Sequence, residues 1–370
     1  MKILDYYILK HFIRNLFFGL ICFILIFILV DLFENVDKFI DKNVSNPVII
    51  QYYIYFIPEI LKLITPVSML LATLFTFSRF NNYSEMTAVN SAGISIYRFS
   101  YPLIIFGFLI TLFSLYFNGW LVPKFNSEKL KIERTYLGKN VIPGVISNLN
   151  FQDSENKIFA IGNYNESDKS AYNVTLNIFD KKEQSQLLSR YDVKIMKWDS
   201  IKNEWKLIGV LERKFDTSNT EILKTIDTVY SNEIPEIGNI NFSPSSLIKS
   251  QLKADELLLE DLSEHIKTLE AGGQIVNREK VDYYSKISFP FSNIIVILFG
   301  ISISTNKRKS GTAVQFGVSI LITFIYLGFL KVSQTFGYSG DINPVLTAWL
   351  ANILFFILAI VNLIKMNYLK

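Results

Sequence analysis

Cysteine is nearly missing. Cys22 is the only one among 370 residues and lies inside an apolar run, so no disulfide can form within the chain, whatever the compartment. His11 and His265 are the only histidines. One borders the first apolar run and the other lies in a polar block, which argues against a histidine metal site. There is no Gly-x-x-x-x-Gly-Lys-Ser/Thr segment, so the chain does not bind ATP through a P-loop. His-Glu-x-x-His, paired cysteines and Gly-x-Ser-x-Gly are absent too, which disfavours enzymes built on those devices. The charge balance is mild, 37 basic against 33 acidic residues for a net +4, with no nucleic-acid footprint. No catalytic residue, metal ligand or cofactor is therefore assigned.

Apolar sequence is what the chain has in quantity. Half of its residues are hydrophobic, with 31 Phe and 19 Tyr. A soluble domain rarely combines such a composition with apolar runs of this length. The runs read as six spans: from near Phe12 to Val30, Ile49 to Phe77, Phe99 to Val122, Ile287 to Ile303, Thr312 to Phe336 and Val345 to Ile364. The first resembles a signal peptide, but no small-x-small cleavage site follows it, so it reads as an uncleaved span. The second exceeds the roughly 20 residues a bilayer needs, and Pro58 and Pro66 are expected to kink it. Glu59 and Lys62 lie within it on one helical face, and a structural ion pair is the simplest reading of two intramembrane charges.

Between Pro123 and about Tyr284 the pattern changes to polar and alternating. Val174 to Phe179, Asp192 to Trp198, Trp205 to Val210 and Ile222 to Tyr230 alternate as strands do, with turns such as Asp216 to Asn219 between them. An antiparallel sandwich or open barrel is expected, with Phe159, Ile161, Val174, Leu176, Ile178 and Trp205 in its core. Leu259, Leu262, Ile266 and Leu269 then mark an amphipathic helix that stops at Gly272-Gly273. The chain thus divides into residues 1–122, three spans; 123–283, an inserted β domain; and 284–370, three more spans. Unpaired Lys and Arg gather at the N-terminus, the 79–98 and 304–311 loops and the C-terminal tail, while the 31–46 and 337–344 segments are acidic. The bias of basic residues to the cytoplasmic side puts both termini there and the β domain outside.

The 79–98 loop holds Glu85-Met-Thr-Ala-Val-Asn-Ser-Ala-Gly93-Ile-Ser95. A short helix over about 84–92 is expected, with Ser84 at its N-cap and Gly93 at its stop. Met86, Val89 and Asn90 share a side at i, i+3 and i+4. Such a helix can plug into a groove on a cytoplasmic partner or simply lie on the membrane surface.

This segment resembles the coupling helix of the LptF/LptG family of lipopolysaccharide-export permeases. So do Tyr284-Ser-Lys286-Ile-Ser-Phe-Pro290-Phe291, Arg308-Lys-Ser-Gly311 and Asn343-Pro344-Val-Leu-Thr-Ala-Trp349-Leu-Ala-Asn352, in that order. The helix from Leu259 to Gly273 also matches, and Asn90 stands where the family often has Arg. The resemblance implies a six-span α-helical membrane protein, three plus three, carrying a periplasmic β-jellyroll-like domain. It implies a permease subunit of an ABC transporter in the bacterial inner membrane, paired with a paralogous permease as an LptF–LptG heterodimer. An LptB-type ATPase dimer would dock beneath, and an LptC/LptA-type periplasmic bridge would receive lipopolysaccharide. Glu85 would pair with a basic residue of the ATPase, with Met86 and Val89 against its apolar floor and Asn90 and Gly93 completing the contact.

The outer-face cations Lys38, Lys42, Lys286 and Lys331 are candidates for substrate phosphates, or they snorkel or pair with Asp37, Asp41 or Asp282. Two other functions fit the composition. A force-transmitting permease that carries no lipid usually has four spans, and a membrane enzyme would need a convergent acid/base set that the sequence does not offer.

Overall fold

The computed structural model describes residues 3–138, 145–154, 156–180, 186–215, 221–249, 251–271, 273–304 and 312–368. The basic stretch Lys307 to Gly311, the Asp216 to Asn219 turn, Gly272 and Lys370 lie outside the described residues. The chain forms two compact units. One joins Met1–Leu137 to Asn277–Lys370, and the other is Gly138–Val276. Hydropathy marks where apolar runs end, at 122 and 284, and not where helices end.

Among the described residues, six helical stretches of the first unit are long and apolar enough to cross a membrane. Helix α1 (Ile3–Asp41) has 39 residues, about 58 Å of helix, so it outruns the apolar run that announced it. Asp31 to Asp41, the acidic segment after the first apolar run, is its continuation. Helix α2 (Asn46–Asn82) runs unbroken past Pro58 and Pro66. A short α3 (Glu85–Ser91) follows. Helix α4 (Ile96–Tyr116) continues through a π-turn at Phe117–Leu121 into α5 (Val122–Ile132) and a second π-turn at Glu133–Leu137.

After the inserted domain, α8 (Asn277–Ser288) meets α9 (Ser292–Ser304) across a 3₁₀ turn at Phe289–Phe291, where Pro290 withholds a backbone donor. Helices α10 (Thr312–Ser339) and α11 (Pro344–Tyr368) complete this unit.

Helix α2 is the axis. It packs on α1, α5, α9 and α10, and in its most apolar stretch 67% of residues are buried, against 17% for α1. Met69, Leu70, Leu74, Phe77 and Phe80 of α2 close a core with Phe12 of α1, Leu103 of α4 and Ile297 of α9. The outer helices keep large apolar faces uncovered, such as Phe17, Phe18 and Leu25 on α1 and Phe324 and Ile325 on α10. In a bilayer these faces meet lipid or other helices.

The second unit is one antiparallel sheet of six strands in chain order: β1 (Val145–Ser154), β2 (Lys157–Asn165), β3 (Ser170–Phe179), β4 (Leu187–Asp199), β5 (Glu204–Phe215) and β6 (Glu221–Tyr230). The first two strands escaped the sequence reading, because Asn150, Gln152 and Asn163 blur their alternation. All six residues expected in the core are buried there, with Tyr191, Met196 and Val210.

The open face is closed by the segment from Ile234 to Leu247, whose Ile237 and Phe242 join the core. This strap is tied down at several points. Trp205 Nε1 donates to the Phe242 carbonyl at 2.8 Å, Asn241 N to Asp153 Oδ1 at 2.6 Å, and Lys157 Nζ to the Ile237 carbonyl at 2.5 Å. Glu236 accepts from Tyr191 and pairs with Lys214. Short helices α6 (Pro244–Lys249) and α7 (Leu259–Ala271) follow, joined by the Lys249–Asp261 ion pair at 2.9 Å.

Two expectations follow. A Cβ on Gly300 of α9 would lie 2.8 Å from Thr73 Cγ2 of α2, so Gly300→Ala should cost about 1–3 kcal/mol, seen as a lower melting temperature in detergent. Burial opposes charge on Glu236, but bonds from Lys214, Tyr191 and Ser189 outweigh it and hold its carboxyl below the ordinary glutamate range. The stability this adds is complete above the unfolded value of about 4.3 and is lost as pH falls through the lower folded value. Acid melting between neutral and strongly acidic pH should be shallower in Glu236→Gln.

Candidate coupling site and intramembrane ion pair

Helix α3 hangs between α2 and α4. Ser84 occupies the N-cap position, but in a left-handed conformation (φ 57°), and its side chain makes no cap bond. The expectation that Ser84 caps the helix is thus corrected. The C-terminus ends as Gly93 foretold. Gly93 has φ +75°, its N–H donates to the Asn90 carbonyl, and the Ile94 N–H reaches back to Val89 at 3.2 Å. This is a Schellman motif, and only glycine takes that φ without strain.

The apolar stripe of α3 points inward. Met86 is 5% exposed and sits in the core built by α1, α2, α4 and α9, with half-buried Val89 against the same cluster. Asn90 is half-buried too, and its Oδ1 is buried without a hydrogen-bond partner. The stripe therefore anchors α3 to its own chain. Thr87, Ala88, Ser91, Ala92 and Gly93 form the exposed face. Glu85 is half-buried, and Tyr7 Oη donates to its Oε1 at 3.3 Å. Spacing located the stripe correctly, but spacing cannot say which side of a short helix the rest of the chain covers.

The helix ends around α3 are fastened together. Arg98 of α4 makes two bonds to Asp5 of α1, at 2.7 and 3.0 Å. Tyr97 Oη donates to the Leu363 carbonyl of α11 at 3.0 Å, and Asn81 Nδ2 of α2 to the Ser304 carbonyl of α9 at 2.8 Å. Two-point Arg–carboxylate bonding fixes orientation as well as distance.

Farther along α2 lies the charged residue the sequence had flagged. Glu59, expected beside Lys62, meets Lys129 of α5 at 2.5 Å. Lys129 is 7% exposed and its Nζ also lies 4.7 Å from the Phe56 ring centre. One turn on, Tyr52 Oη donates to Glu133 at 3.2 Å, both groups buried. Lys129 and Glu133 lay beyond the third apolar run and drew no attention. Their spacing of four residues, following Pro123 at a favoured helix-start position, was the signal available.

The four candidate phosphate ligands separate. Lys38 and Lys42 are exposed at the end of α1, and Lys42 N bonds to the Lys38 carbonyl at 3.2 Å. Lys331 on α10 is exposed. Lys286 on α8 is 6% exposed, buried inside its own unit, unlike the other three.

A family model described as lipopolysaccharide export system permease LptF/LptG matches residues 6–365. The lipopolysaccharide export permease LptG of Escherichia coli K12 is 21% identical over 316 residues, covering 84% of this chain and 83% of that protein. LptG of Haemophilus influenzae is 21% identical over 274 residues, 74% of this chain and 72% of its own. A protein of Aquifex aeolicus is 30% identical over 176 residues, and the match spans 48% of its length.

The ion pair generates a test of its own. Lys129→Ala removes the buried cation from the Glu59 carboxylate and should destabilise by on the order of 3 kcal/mol. The uncharged, near-isosteric double variant Glu59→Gln with Lys129→Met should cost much less. Melting of all three forms in detergent measures the difference, and equal losses in both variants would show that the pair is not coupled.

Proposed function

This chain belongs to the LptF/LptG family of lipopolysaccharide export permeases, and from that membership we propose that it is one transmembrane subunit of an ATP-driven exporter, paired with a paralogous permease. The observation that carries the reading is the family match from residue 6 to 365, over six membrane-length helices with a β domain inserted between the third and fourth. The chain is multi-pass and sits in the inner membrane with both termini cytoplasmic and the β domain periplasmic, an orientation supported by the distribution of Lys and Arg at the span ends. It performs no catalysis. ATP is hydrolysed by a separate cytoplasmic LptB-type dimer, and an LptC/LptA-type bridge accepts the lipid.

Mechanically, α3 is the input. The ATPase groove bears on the exposed Thr87, Ala88, Ser91 and Ala92 face, and a basic residue there competes with Tyr7 for Glu85. Because Met86 is sunk in the core and the neighbouring helix ends are braced, a push on α3 is passed to α1, α2, α4 and α9 together. Packed helices transmit displacement because interiors are close-packed and barely compressible. At the opposite membrane face, Lys38, Lys42 and Lys331 attract the phosphates of the substrate, and the apolar helix faces hold its acyl chains.

The face assignment gives sharp expectations. Ala88→Trp should block ATPase docking, and Glu85→Lys should leave ATP hydrolysis uncoupled from transport. Met86→Ala should instead lower thermal stability by about 2–5 kcal/mol. Co-purification with the ATPase, ATP turnover and lipid release from proteoliposomes distinguish these outcomes. Normal transport by both Ala88→Trp and Glu85→Lys would remove α3 from the mechanism.

A further inference from the structure

On the α3 side of the membrane unit, α1 and α2 carry a cluster of cations that the transport reading leaves idle. Arg79 of α2 and Arg14 and Lys10 of α1 gather around His11, with one carboxylate, Glu85, beside them. Glu85 is engaged by Tyr7, and Asp5, five residues before Lys10, is committed to Arg98. Among the described residues none of the three cations forms an ion pair. The cluster is built on packed side chains. His11 is 7% exposed and meets the Tyr7 ring edge-on, with centres 4.7 Å apart. Arg14 Nη2 donates to His11 Nδ1 at 3.2 Å, so a buried ring orients the guanidinium of an exposed residue. Next to it, Asn15 Nδ2 donates to Thr76 Oγ1 at 3.1 Å and joins α1 to α2. Arg79 is half-buried, and its Nε is buried without a hydrogen-bond partner.

We propose that Lys10, Arg14 and Arg79 bind the phosphate of an anionic glycerophospholipid. Lys10 and Arg14 stand four apart on one exposed face of α1 and repel each other, and an anion between them and Arg79 removes that repulsion. Guanidinium groups suit phosphate because their donors match its oxygens two at a time. The apolar run of α1 starts just after Arg14 and that of α2 stops at Phe77, just before Arg79, which sets both guanidinium groups at headgroup level. Beyond Arg14 the same side of α1 continues through Phe18, Ile21 and Leu25, each more than half exposed. A headgroup held by the cations therefore lays its acyl chain along an apolar stripe, a match that a soluble anion or an acidic protein surface does not make. The lipid bridges α1 and α2 beside α3. Its placement in the cytoplasmic leaflet rests on the orientation proposed above, and the binding itself does not.

The test uses the purified full chain in a nonionic detergent, with native mass spectrometry counting bound phosphatidylglycerol against phosphatidylcholine. Wild type is expected to prefer phosphatidylglycerol about tenfold. Lys10→Gln should weaken that binding about fivefold, and Arg14→Gln combined with Arg79→Gln should abolish the preference. Lys365→Gln, which removes an exposed cation near the end of α11, should change nothing. Lys10→Gln alters an exposed side chain and keeps the test valid if the arginine variant misfolds. Equal affinity for the two lipids, or a loss in Lys365→Gln as large as in Lys10→Gln, overturns the site. Displacement of phosphatidylglycerol by inorganic phosphate makes the ligand a soluble anion and overturns the lipid assignment. Variants that keep the lipid preference but no longer capture the ATPase give the cations to a protein partner and overturn it too. None of these readouts involves lipopolysaccharide, so the export reading is judged separately.

Discussion

The close approach of α2 to α9 is the contact on which the membrane unit depends. Gly300 lets Thr73 come so near that not even a methyl group fits between the helices. Inside a bilayer there is no hydrophobic gain from bringing helices together, so packing of small residues has to supply the association. Everything of functional interest is hung from α2. Its far end turns into α3, its middle carries Glu59, and its start carries Tyr52.

That arrangement makes α2 a rod with attachments at both ends. The α3 end is braced by Arg98–Asp5, Tyr97 to α11 and Asn81 to α9. The other end is joined to α5 by Glu59–Lys129 and Tyr52–Glu133. Buried charges are costly unless paired, and these pairs are what fasten α5 to the rod. The same logic works in water in the β domain, where Glu236 ties the strap to Lys214 and Tyr191. In both units a polar bond between elements fixes geometry.

Helix α3 illustrates what a correct pattern leaves open. Periodicity picked out Met86, Val89 and Asn90 as one stripe, and the stripe exists. Amphipathicity says only that one face is covered. In a segment lodged between two long helices, the nearest cover is the chain itself. The outward face is then the bland one, of threonine, alanine and serine, which no motif search would single out.

Sequence alone determined the number of spans, the inserted antiparallel domain, its buried core positions and the Gly93 stop, because each rests on hydropathy, period or a single backbone angle. It had no purchase on partners from distant segments. That Glu59 would meet Lys129 across 70 residues, that Lys286 would be buried while Lys331 stays exposed, and that α1 and α4 would run on past their apolar runs were decided by tertiary packing. The physical reason is the same throughout: local pattern fixes which face of an element is apolar, and only the assembled helices decide what that face meets.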